Sequence, residues 1–501
     1  MTPLKYLWIF LFCALPLYGQ QKREVINLET LSERARLLAS APYEAPKKKI
    51  PEELIKLTYD DYRNIRFRPS EALWWNSEIP FHVEFFHPGH IHQDLIEVYE
   101  ITNTHSQKIP FLRQAFKYEK SNYDPGLLSQ PSGYAGIRVR YPVNDPKVFD
   151  ELVVFQGASY FRALGKNQVY GLSLRGISMN TIGDSEDFPR FTKLWLKKPE
   201  PDSKTLTIFA LLEGENITGA YEFELIPNGR TRIDVRADLY YRGDSREQVG
   251  FAPMTSMFAF GENTKMKHND WRPEVHDSDG LLIHSDQEWT WHALDNIEGR
   301  NVKFFPAGKL NGFGLLQRDR AYANYKDLEA AYEKRPTAWI EPRRHWKNGA
   351  VVLYTFHTAN ETVDNVVAFW KPDPSSSQEA PERLEYSIYL QLTEPGHKLA
   401  RVLETRIGGR TLDASQKTIV IEFSRPDHIT INEVELLSVD FRTGDLEVTG
   451  QPVIQYSAPE DRIRVFADFE ASSHRKMIDL SARLLKDGHI VSEKWSYTWS
   501  P

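Results

Sequence analysis

The sequence is almost free of cysteine, because Cys13 is the only one among its 501 residues. Beyond that position the chain can form no disulfide, no thiolate zinc site and no cysteine nucleophile. It also has no excess of positive charge, since 62 Lys and Arg residues face 69 Asp and Glu residues. That balance excludes the electrostatic footprint of a nucleic-acid-binding protein. No apolar run of about 18 residues follows residue 20, so we expect no membrane span in the mature chain.

The first 20 residues, MTPLKYLWIFLFCALPLYGQ, have the pattern of a secretory signal peptide. Lys5 precedes an apolar run from Tyr6 to Leu17, which is too short for a stable bilayer anchor. No Arg-Arg pair precedes this run, which favours the general secretion route over the twin-arginine route. A lipoprotein signal would need a small residue before Cys13, and Phe12 fits that requirement poorly. We therefore expect secretion and cleavage of residues 1–20.

Apolar and polar side chains alternate through most of the chain, which predicts a mainly β fold. The pattern is clearest in YEFELIPNGRTRIDVRADLYYR, residues 221–242, where Asn228 and Gly229 mark the turn of an antiparallel hairpin. The same alternation recurs in KTLTIFALLE, KTIVIEF, DRIRVFADFE and SEKWSYTWS. Helical spacing is confined to LETLSERARLLASAP, which ends at Pro42, and to the shorter segment PEELIKLTYDDYRNI.

The segment KPDPSSSQEAPERL, residues 371–384, has the composition of a linker. It contains three prolines and three consecutive serines and shows no apolar periodicity. We therefore predict a large β-sandwich over residues 22–372, a linker over 373–384 and a small domain over 385–501. The short, regularly spaced strands of the small domain are typical of an immunoglobulin-like sandwich, here without a cysteine pair.

Several familiar site motifs are missing or incomplete. The sequence contains no GxxxxGKS or GxxxxGKT loop, no GxGxxG turn and no GxSxG elbow, so nucleotide-binding and esterase chemistry lose their main support. His87, His90 and His92 stand close enough to suggest zinc, yet on a strand only His90 and His92 would share a face. No carboxylate or thiolate obviously completes such a site, so hydrated loop histidines are the favoured interpretation.

Two acidic loops remain as candidates for acid–base chemistry. WRPEVHDSDG, residues 271–280, contains Glu274, Asp277 and Asp279, and NETVDNVVAFW, residues 360–370, contains Glu361 and Asp364. Glycoside hydrolysis needs two carboxyl groups, one protonated and one ionised. The alternative is that these are ordinary solvated carboxylates, which a chain with 69 acidic residues offers in number. Aromatic side chains near the loops could stack on sugar faces: Trp271, Trp289, Trp291, Phe369 and Trp370.

Seven segments, taken in their order along the chain, match the blocks of a known family. They are SYFRALGKNQVYGLSLRGISMNT, EDFPRFTKLWLKKP, FAPMTSMFAFGEN, WRPEVHDSDGLLIH, NGFGLLQRDR, YEKRPTAWIEP and ETVDNVVAFWKPD. In these blocks the chain resembles the periplasmic glucan biosynthesis proteins G and D, also called MdoG or OpgG and OpgD. The likeness runs from about residue 25 to the segment EKWSYTW, and the missing twin-arginine signal favours protein G.

The resemblance implies a fold and a function. The fold is a large galactose-mutarotase-like β-sandwich followed by a small immunoglobulin-like β-sandwich, in agreement with the linker prediction. The function is a periplasmic role in making osmoregulated glucans with a β-1,2-linked glucose backbone. Members of the family are β-1,2-glucanases that invert the anomeric carbon, with very uneven activity. The implied partners are the glucan and other proteins of glucan biosynthesis, and no metal or organic cofactor is required.

The resemblance also assigns roles to particular residues. The acid of the family's ExxDN motif falls on Asp364, the implied general acid. The first aspartate of the HDSDG-like motif falls on Asp277, the implied general base, with Asp279 as the alternative. The family often has Asn before its acid, where this chain has Val363. Protons are implied to pass through a substrate hydroxyl or waters.

The tyrosine and arginine of the family's YxxRP motif fall on Tyr332 and Arg335. Glu361 lies three residues before the implied acid, and its charge could keep that acid protonated by repulsion. Arg272 or Arg335 could keep the base ionised. We expect these side chains to bind substrate or to relay protons.

Two other classes of function remain open. The protein could bind nascent glucan and direct it to other periplasmic factors without cutting it, and an aromatic, acidic cleft would serve that purpose as well. A mutarotase-like sugar epimerase would follow from the fold alone, which is weak support.

Overall fold

The computed structural model describes residues 25–45, 50–102, 105–119, 133–264, 269–344, 346–374, 380–409, 416–444, 450–470 and 477–500. The predicted signal segment 1–20 and residues 375–379 of the predicted linker lie outside these ranges. Within the ranges, no helix combines the length and the hydropathy needed to cross a bilayer.

Strands dominate the described ranges, which confirms the prediction of a mainly β protein. Twenty-four of them belong to one hydrogen-bonded network. Its strands are His82–Phe86, Glu97–Ile101, Ser106–Lys108, Gly136–Tyr141, Asp150–Gln156, Tyr160–Ala163, Ser173–Arg175, Ile177–Met179, Arg190–Lys197, Leu206–Glu213, Ile217–Asn228, Arg230–Tyr241, Val249–Ser256, Gly280–Ser285, Glu288–Ala293, Arg300–Leu316, Thr337–Pro342, Trp346–Phe356, Val366–Pro372, Glu382–Gln391, Leu437–Arg442, Ile478–Lys486, His489–Ile490 and Lys494–Trp499.

The predicted hairpin is present at the centre of this network. Ile217–Asn228 pairs antiparallel with Arg230–Tyr241 along its whole length, and Gly229 turns the chain with a φ of 60°. The apolar positions of the second strand all point into the core: Ile233, Val235, Ala237 and Leu239. The alternation in the sequence therefore arises because one face of the strand is buried and the other meets polar surroundings.

The helices are few and short. The helix Leu28–Ala39 starts at a capping box on Asn27 and packs Leu31 and Ala35 against the strand Leu206–Glu213 and its neighbours. The second predicted helical segment forms two single-turn helices, Glu52–Ile55 and Tyr59–Arg63. In the described ranges, the remaining helical turns are Tyr322–Tyr325 and the 3-10 turns Pro69–Glu71, Arg113–Ala115, Ser245–Gln248, Tyr332–Lys334 and Ile431–Leu436.

The C-terminal residues form two layers of strands. One layer is a four-stranded sheet in the order Val402–Gly409, Gln416–Ser424, Arg462–Glu470, Val453–Ser457. The other contains Leu437–Arg442, Ile478–Lys486 and Lys494–Trp499. That layer joins the large network, because Lys494–Trp499 pairs in parallel with Glu288–Ala293. A shared core lies here, in which Trp291, Leu316 and Trp339 pack against the C-terminal apolar residues.

The strand Glu382–Gln391 spans the predicted boundary between residues 384 and 385. Glu382–Gln391 pairs antiparallel with Arg230–Tyr241 on one side and with Thr337–Pro342 on the other. These residues are therefore an inner strand of the large network and not the start of the small domain. We place the proposed boundary after Gln391, and the galactose-mutarotase-like and immunoglobulin-like types of the two sandwiches stay predictions.

Two further pairs of short strands complete the fold. Arg66–Phe67 pairs with Phe116–Lys117, and Phe258–Phe260 pairs with Val275–His276. The second pair positions the candidate site, because Asp277 directly follows it.

Candidate active site

Met257 and Phe258 are each hydrogen-bonded to a segment that carries one of the two predicted acid–base residues. The backbone N–H of Asp277 donates to the carbonyl oxygen of Met257 at 2.8 Å. On the other side, the side chain of Asn365 accepts a hydrogen bond from the Phe258 N–H at 2.9 Å and donates to the Phe258 carbonyl at 3.0 Å. Asp364 precedes this fully buried Asn365. Two acids far apart in the sequence therefore lie on segments that are hydrogen-bonded to adjacent residues, Asp277 directly and Asp364 through its neighbour Asn365.

Asn365 holds the candidate site together, and the sequence analysis did not single it out. Its amide also donates to the carbonyl of Phe356 at 3.0 Å, so one buried side chain joins three segments. A buried amide with all these partners fixes its neighbours firmly. The signal was present in the ExxDN motif, which includes this asparagine directly after the acid.

Asp277 is buried, with 5% of its surface exposed, and its Oδ1 lies 3.1 Å from Nη1 of Arg335. Burial raises the pKa of this carboxyl to about 6, because a desolvated carboxylate loses hydration. The guanidinium of Arg335 lowers the pKa, and the negative charge of Asp364 raises it. The carboxyls of Asp277 and Asp364 thus lie close enough for their charges to interact.

Asp364 is half-buried, and burial raises its pKa above the ordinary range of a carboxyl. Arg162, Arg175 and Arg335 lower the pKa in that order of influence. Arg162 and Arg335 act on both acids, since each also lowers the pKa of Asp277. The sequence analysis did not single out Arg162 or Arg175. The available signal was the presence of a charged residue within a short, partly apolar strand.

A cavity of about 470 Å³ opens beside Asp364. Its floor comes from the neighbouring strands Asp150–Gln156, Tyr160–Ala163 and Ser173–Arg175, which pair antiparallel in that order. The lining is mostly polar or aromatic and comprises His92, Val154, Gln156, Tyr160, Phe161, Arg162, Tyr170, Ser173 and Asp364. Flat rings beside hydrogen-bonding groups are suited to a hydroxyl-rich ligand with apolar faces.

Glu361 belongs to a second ionic group. Its Oε2 accepts a hydrogen bond from the Tyr332 hydroxyl at 2.7 Å and lies 2.6 Å from Nη1 of Arg272. Arg272 also pairs with Asp270 and Asp327, at 2.7 and 2.9 Å.

This arrangement revises two expectations about the charged side chains. Of the two arginines considered for the base, Arg335 contacts Asp277, whereas Arg272 pairs with Glu361. The charge of Glu361 is balanced by Arg272, so burial, and not repulsion by Glu361, is the main cause of the raised pKa of Asp364. The guanidinium of Arg335 also lies 4.9 Å from the centre of the Tyr332 ring, which brings the two groups together.

The alternative base, Asp279, has a structural role. Its carboxylate accepts hydrogen bonds from the backbone N–H groups of Arg318, at 2.9 and 2.8 Å, and Asp319, at 3.0 Å. A carboxylate held in this way stabilises a turn of backbone and has little capacity left for a substrate. The geometry therefore favours Asp277 over Asp279 as the candidate base.

Beside Asp277 lies a buried charged cluster. Glu274, His276 and Asp319 have ligand atoms within 4.8 Å of one another, and among the described residues they are the group that could hold a metal ion. His276 is fully buried and contacts Glu274 Oε2 at 3.0 Å and Gln317 Oε1 at 2.9 Å. Burial lowers the pKa of His276, but Glu274 and the other carboxylates raise it to about 9. The imidazolium thus supplies the positive charge that these carboxylates need.

The three N-terminal histidines separate in the structure. His87 is buried against Phe111 and Phe116, and burial lowers its pKa to about 4. Nδ1 of His90 lies 2.9 Å from the carbonyl oxygen of Leu57. His92 lines the cavity beside Asp364. A protein environment, and not hydration alone, surrounds each ring.

Of the aromatic residues considered for stacking, Trp271 has the largest exposed fraction, 70%. It adjoins Arg272, whose ion pairs hold that part of the loop. Trp291, Phe369 and Trp370 are core residues with 3%, 3% and 1% exposed. These three side chains pack in the core, as large aromatic side chains usually do, and are not available to stack on a sugar.

The fold and the site together describe a mainly β protein in which Asp364 lines a polar, aromatic cavity, while the buried Asp277 is not among the lining residues of that cavity. The family model described as "Periplasmic glucan biosynthesis protein, MdoG" matches residues 26–499, and the chain belongs to this family. It is 38% identical over 504 residues to glucans biosynthesis protein G of Ralstonia nicotianae, covering 97% of this chain and 98% of the relative.

Two further relatives show the same similarity. Glucans biosynthesis protein G of Vibrio cholerae is 44% identical over 365 residues, which are 72% of this chain and 66% of that protein. Glucans biosynthesis protein G of Bradyrhizobium diazoefficiens is 38% identical over 483 residues, which are 94% of this chain and 92% of that protein. These findings confirm the resemblance to the family.

Proposed function

We propose that this protein acts in the periplasm on osmoregulated glucan and hydrolyses or remodels its β-1,2-linked backbone with inversion at the anomeric carbon. The observation that carries the proposal is that Asp277 and Asn365, the residue after Asp364, are hydrogen-bonded to the adjacent residues Met257 and Phe258. The family membership supports the glucan as the ligand. Export through a signal peptide at residues 1–20 belongs to the same proposal.

Asp277 is the general base in this proposal. Its pKa of about 6 leaves it mostly ionised at neutral pH, with Arg335 at 3.1 Å stabilising the charge. The ionised carboxylate takes a proton from a water, directly or through a substrate hydroxyl, as that water attacks the anomeric carbon. An inverting pair of carboxyls stands about 6.5–9.5 Å apart so that such a water fits between base and sugar.

Asp364 is the general acid. Burial raises its pKa and so extends the range in which it carries a proton. It donates that proton to the glycosidic oxygen as the bond to the leaving sugar breaks. The cavity beside Asp364 is the proposed binding place of the sugar units next to the cleaved bond, with Tyr160 and Tyr170 against their faces.

Tyr332, Glu361 and Arg272 are proposed to bind substrate and to relay protons. The Tyr332 hydroxyl already donates to Glu361, so this pair can hold a sugar hydroxyl in a fixed orientation. Arg272 fixes the position of the Glu361 carboxylate through the 2.6 Å contact.

The test is hydrolysis of linear β-1,2-glucan by the purified protein, followed by chain length and by NMR of the first-formed anomer. We expect new α-configured reducing ends, and a loss of roughly 100-fold or more in rate for Asp364→Asn and Asp277→Asn. Asp440→Asn is the matched control, since it makes the same change in the strand Leu437–Arg442 of the C-terminal layer. An uncut polymer with the wild-type protein would refute the hydrolytic proposal.

The second candidate function is glucan binding without cleavage, in which the protein directs nascent polymer to other biosynthetic proteins. The names of the relatives favour it, because they refer to the biosynthesis of glucans and not to their hydrolysis. Tight binding of β-1,2-glucan with no new reducing ends would support this function. Binding lost in Tyr160→Ala but kept in Asp364→Asn would place the recognition in the cavity and not in the acid pair.

A further inference from the structure

The segment of residues 317–319 lies between the candidate active site and the C-terminal strands. It directly follows the strand Arg300–Leu316. Gln317 is buried, and its side-chain amide donates to the carbonyl oxygens of His276 at 2.8 Å and Tyr332 at 3.2 Å. One side chain thus holds the backbone next to Asp277 and the backbone of Tyr332.

The backbone of the same segment holds Asp279. The N–H of Arg318 and the N–H of Asp319 both donate to the Asp279 carboxylate, at distances from 2.8 to 3.0 Å. In return the Asp279 N–H donates to the carbonyl of Leu316 at 2.9 Å. The stretch 276–279, which contains Asp277, is therefore bound to residues 316–319 at both of its ends.

The side chain of Arg318 binds the C-terminal residues. Its two terminal nitrogens lie 2.9 and 2.8 Å from the two carboxylate oxygens of Glu493, and its Nε lies 3.0 Å from Glu394. It also donates to the carbonyl of Val402, and it stacks 3.7 Å from the centre of the Trp291 ring. Arg318 is 2% exposed at its side chain and Glu493 is 0% exposed.

Glu493 is itself fixed. Its Oε2 accepts a hydrogen bond from the Val402 N–H at 2.8 Å, and its Oε1 lies 2.8 Å from Nε2 of His397. A guanidinium that is buried and bound on all sides has one available position, because any shift would leave a buried charge unpaired. The fixed guanidinium therefore limits how far the main chain at Arg318 can move.

We propose that Arg318 is a positioning residue for the candidate base, and that the C-terminal strands set the location of Asp277 through it. The proposal rests on the proposed function for its catalytic consequence, because Arg318 itself contacts neither Asp277 nor the cavity residues named above. The C-terminal layer then contributes to catalysis because it positions the candidate base, in addition to any role in partner binding.

Arg318→Lys is the informative change, because lysine keeps the charge but cannot make the paired contact to Glu493. Arg462→Lys is the matched control. Arg462 makes the same kind of ion pair in the C-terminal sheet, with Glu404 at 2.6 Å and Glu422 at 2.9 Å, and contacts no residue of the 317–319 segment. Both variants are measured at a temperature where circular dichroism shows them folded.

Two readouts are taken on the full chain. Hydrogen–deuterium exchange is followed in the peptides that contain 275–279 and 317–319, and kcat and KM are measured on linear β-1,2-glucan. In Arg318→Lys we expect at least about threefold faster exchange in both peptides. We expect kcat to fall about 10- to 100-fold with KM within about twofold, because a small misplacement of a reacting group affects the chemical step. Arg462→Lys should leave exchange in these peptides and kcat unchanged.

Unchanged exchange in both peptides of Arg318→Lys would overturn the proposal. So would faster exchange with an unchanged kcat, because the connection would then have no effect on the base. A wild-type protein that cuts no glucan would refute the proposed hydrolysis instead. The exchange measurement would then still decide whether Arg318 holds the 275–279 segment.

Discussion

At the scale of single residues, the candidate site is defined by where its charges are paired. Asp277 has one guanidinium at 3.1 Å, and Glu361 has another at 2.6 Å, so each of these carboxylates is part of an ion pair. Asp364 has no ion pair of this kind among the described contacts, and burial is the main influence on its pKa. Burial raises the pKa of Asp277 as well, so the assignment of Asp277 as base and Asp364 as acid rests on the family motifs and on the ion pair with Arg335.

The first prediction concerns the pH dependence of glucan hydrolysis. The base must be ionised, so kcat/KM should rise with pH through about 6, the pKa of Asp277. Arg335→Gln removes the charge that lowers the pKa of both acids, and both limbs of the pH profile should therefore move to higher pH. Arg343→Gln, which breaks an ion pair with Asp234 elsewhere, is the control. Limbs that stay in place in Arg335→Gln would contradict the assignment of these two acids.

The roles of Asp277 and Asp364 could be assigned from the sequence only through the family motifs. Their spacing in the chain carries no information about their proximity, because it depends on how Phe258–Phe260 pairs with Val275–His276. Arg162 and Arg175 were missed for a similar reason. Each lies in a strand of three or four residues, too short for alternation to show which side chain points at the cavity.

At the scale of the elements, close packing around the site strands leaves no room for added atoms. Gly280 begins the strand that follows Asp279, and a Cβ there would lie 2.0 Å from the Trp291 ring. We predict that Gly280→Ala lowers the free energy of unfolding by about 1–3 kcal/mol, since an overpacked ring must shift. Because Trp291 also stacks on Arg318, activity should fall in the same variant.

Denaturant titration measures this effect. Gly408→Ala is the control, because no atom lies within 4 Å of the added Cβ there. Equal stability of the two variants would mean that the ring moves aside at no cost. The prediction would then be wrong.

The alternation of side chains predicted the strands far better than their partners. The hairpin 217–241 could be predicted in full because its two strands are adjacent in sequence and joined by Gly229. Glu382–Gln391 alternates in the same manner, but nothing local indicates that it pairs with Arg230–Tyr241. Pairing between distant strands is decided by which apolar faces meet in the core. The linker-like composition around residues 371–384 gives no information about which strands will pair.

At the scale of the whole molecule, the buried pair of Arg318 and Glu493 joins the large network to the C-terminal strands. Burial raises the pKa of Glu493, but Arg318 and His397 lower it by a larger amount, so that the pKa is about 2. Its contribution to stability is fully present above its unfolded pKa of about 4.3 and is lost as the pH falls toward 2. Acid should therefore weaken this connection.

We predict that Glu493→Gln lowers the free energy of unfolding at pH 7 by about 3–5 kcal/mol, because it removes one of the two carboxylates that compensate the buried guanidinium and leaves Glu394 alone to do so. The difference from wild type should shrink as the pH falls from about 4.3 to about 2. Urea unfolding at several pH values gives the comparison, with Glu435→Gln as an exposed control. A difference that does not depend on pH in this window would contradict the role given to the carboxylate.

The shared core predicts how the chain responds to truncation. A fragment ending after Gln391 would lose the strand that pairs with Glu288–Ala293 and would expose Trp291 and Trp339. We expect such a fragment to bind a hydrophobic dye and to lack a cooperative thermal transition, since an exposed apolar patch of this kind favours aggregation. A fragment that melts cooperatively without dye binding would show that the large network folds independently.

The parallel pairing of Lys494–Trp499 with Glu288–Ala293 has a consequence for the order of assembly. His292 and Ser496, which touch through their side chains at 3.1 Å, are separated by 204 residues of sequence. A ribosome delivers the earlier strand long before its neighbour, and closing so large a loop is slow. The paired contact between Arg318 and Glu493 therefore forms only late in synthesis, and chains that end before residue 493 should be inert and open to proteolysis.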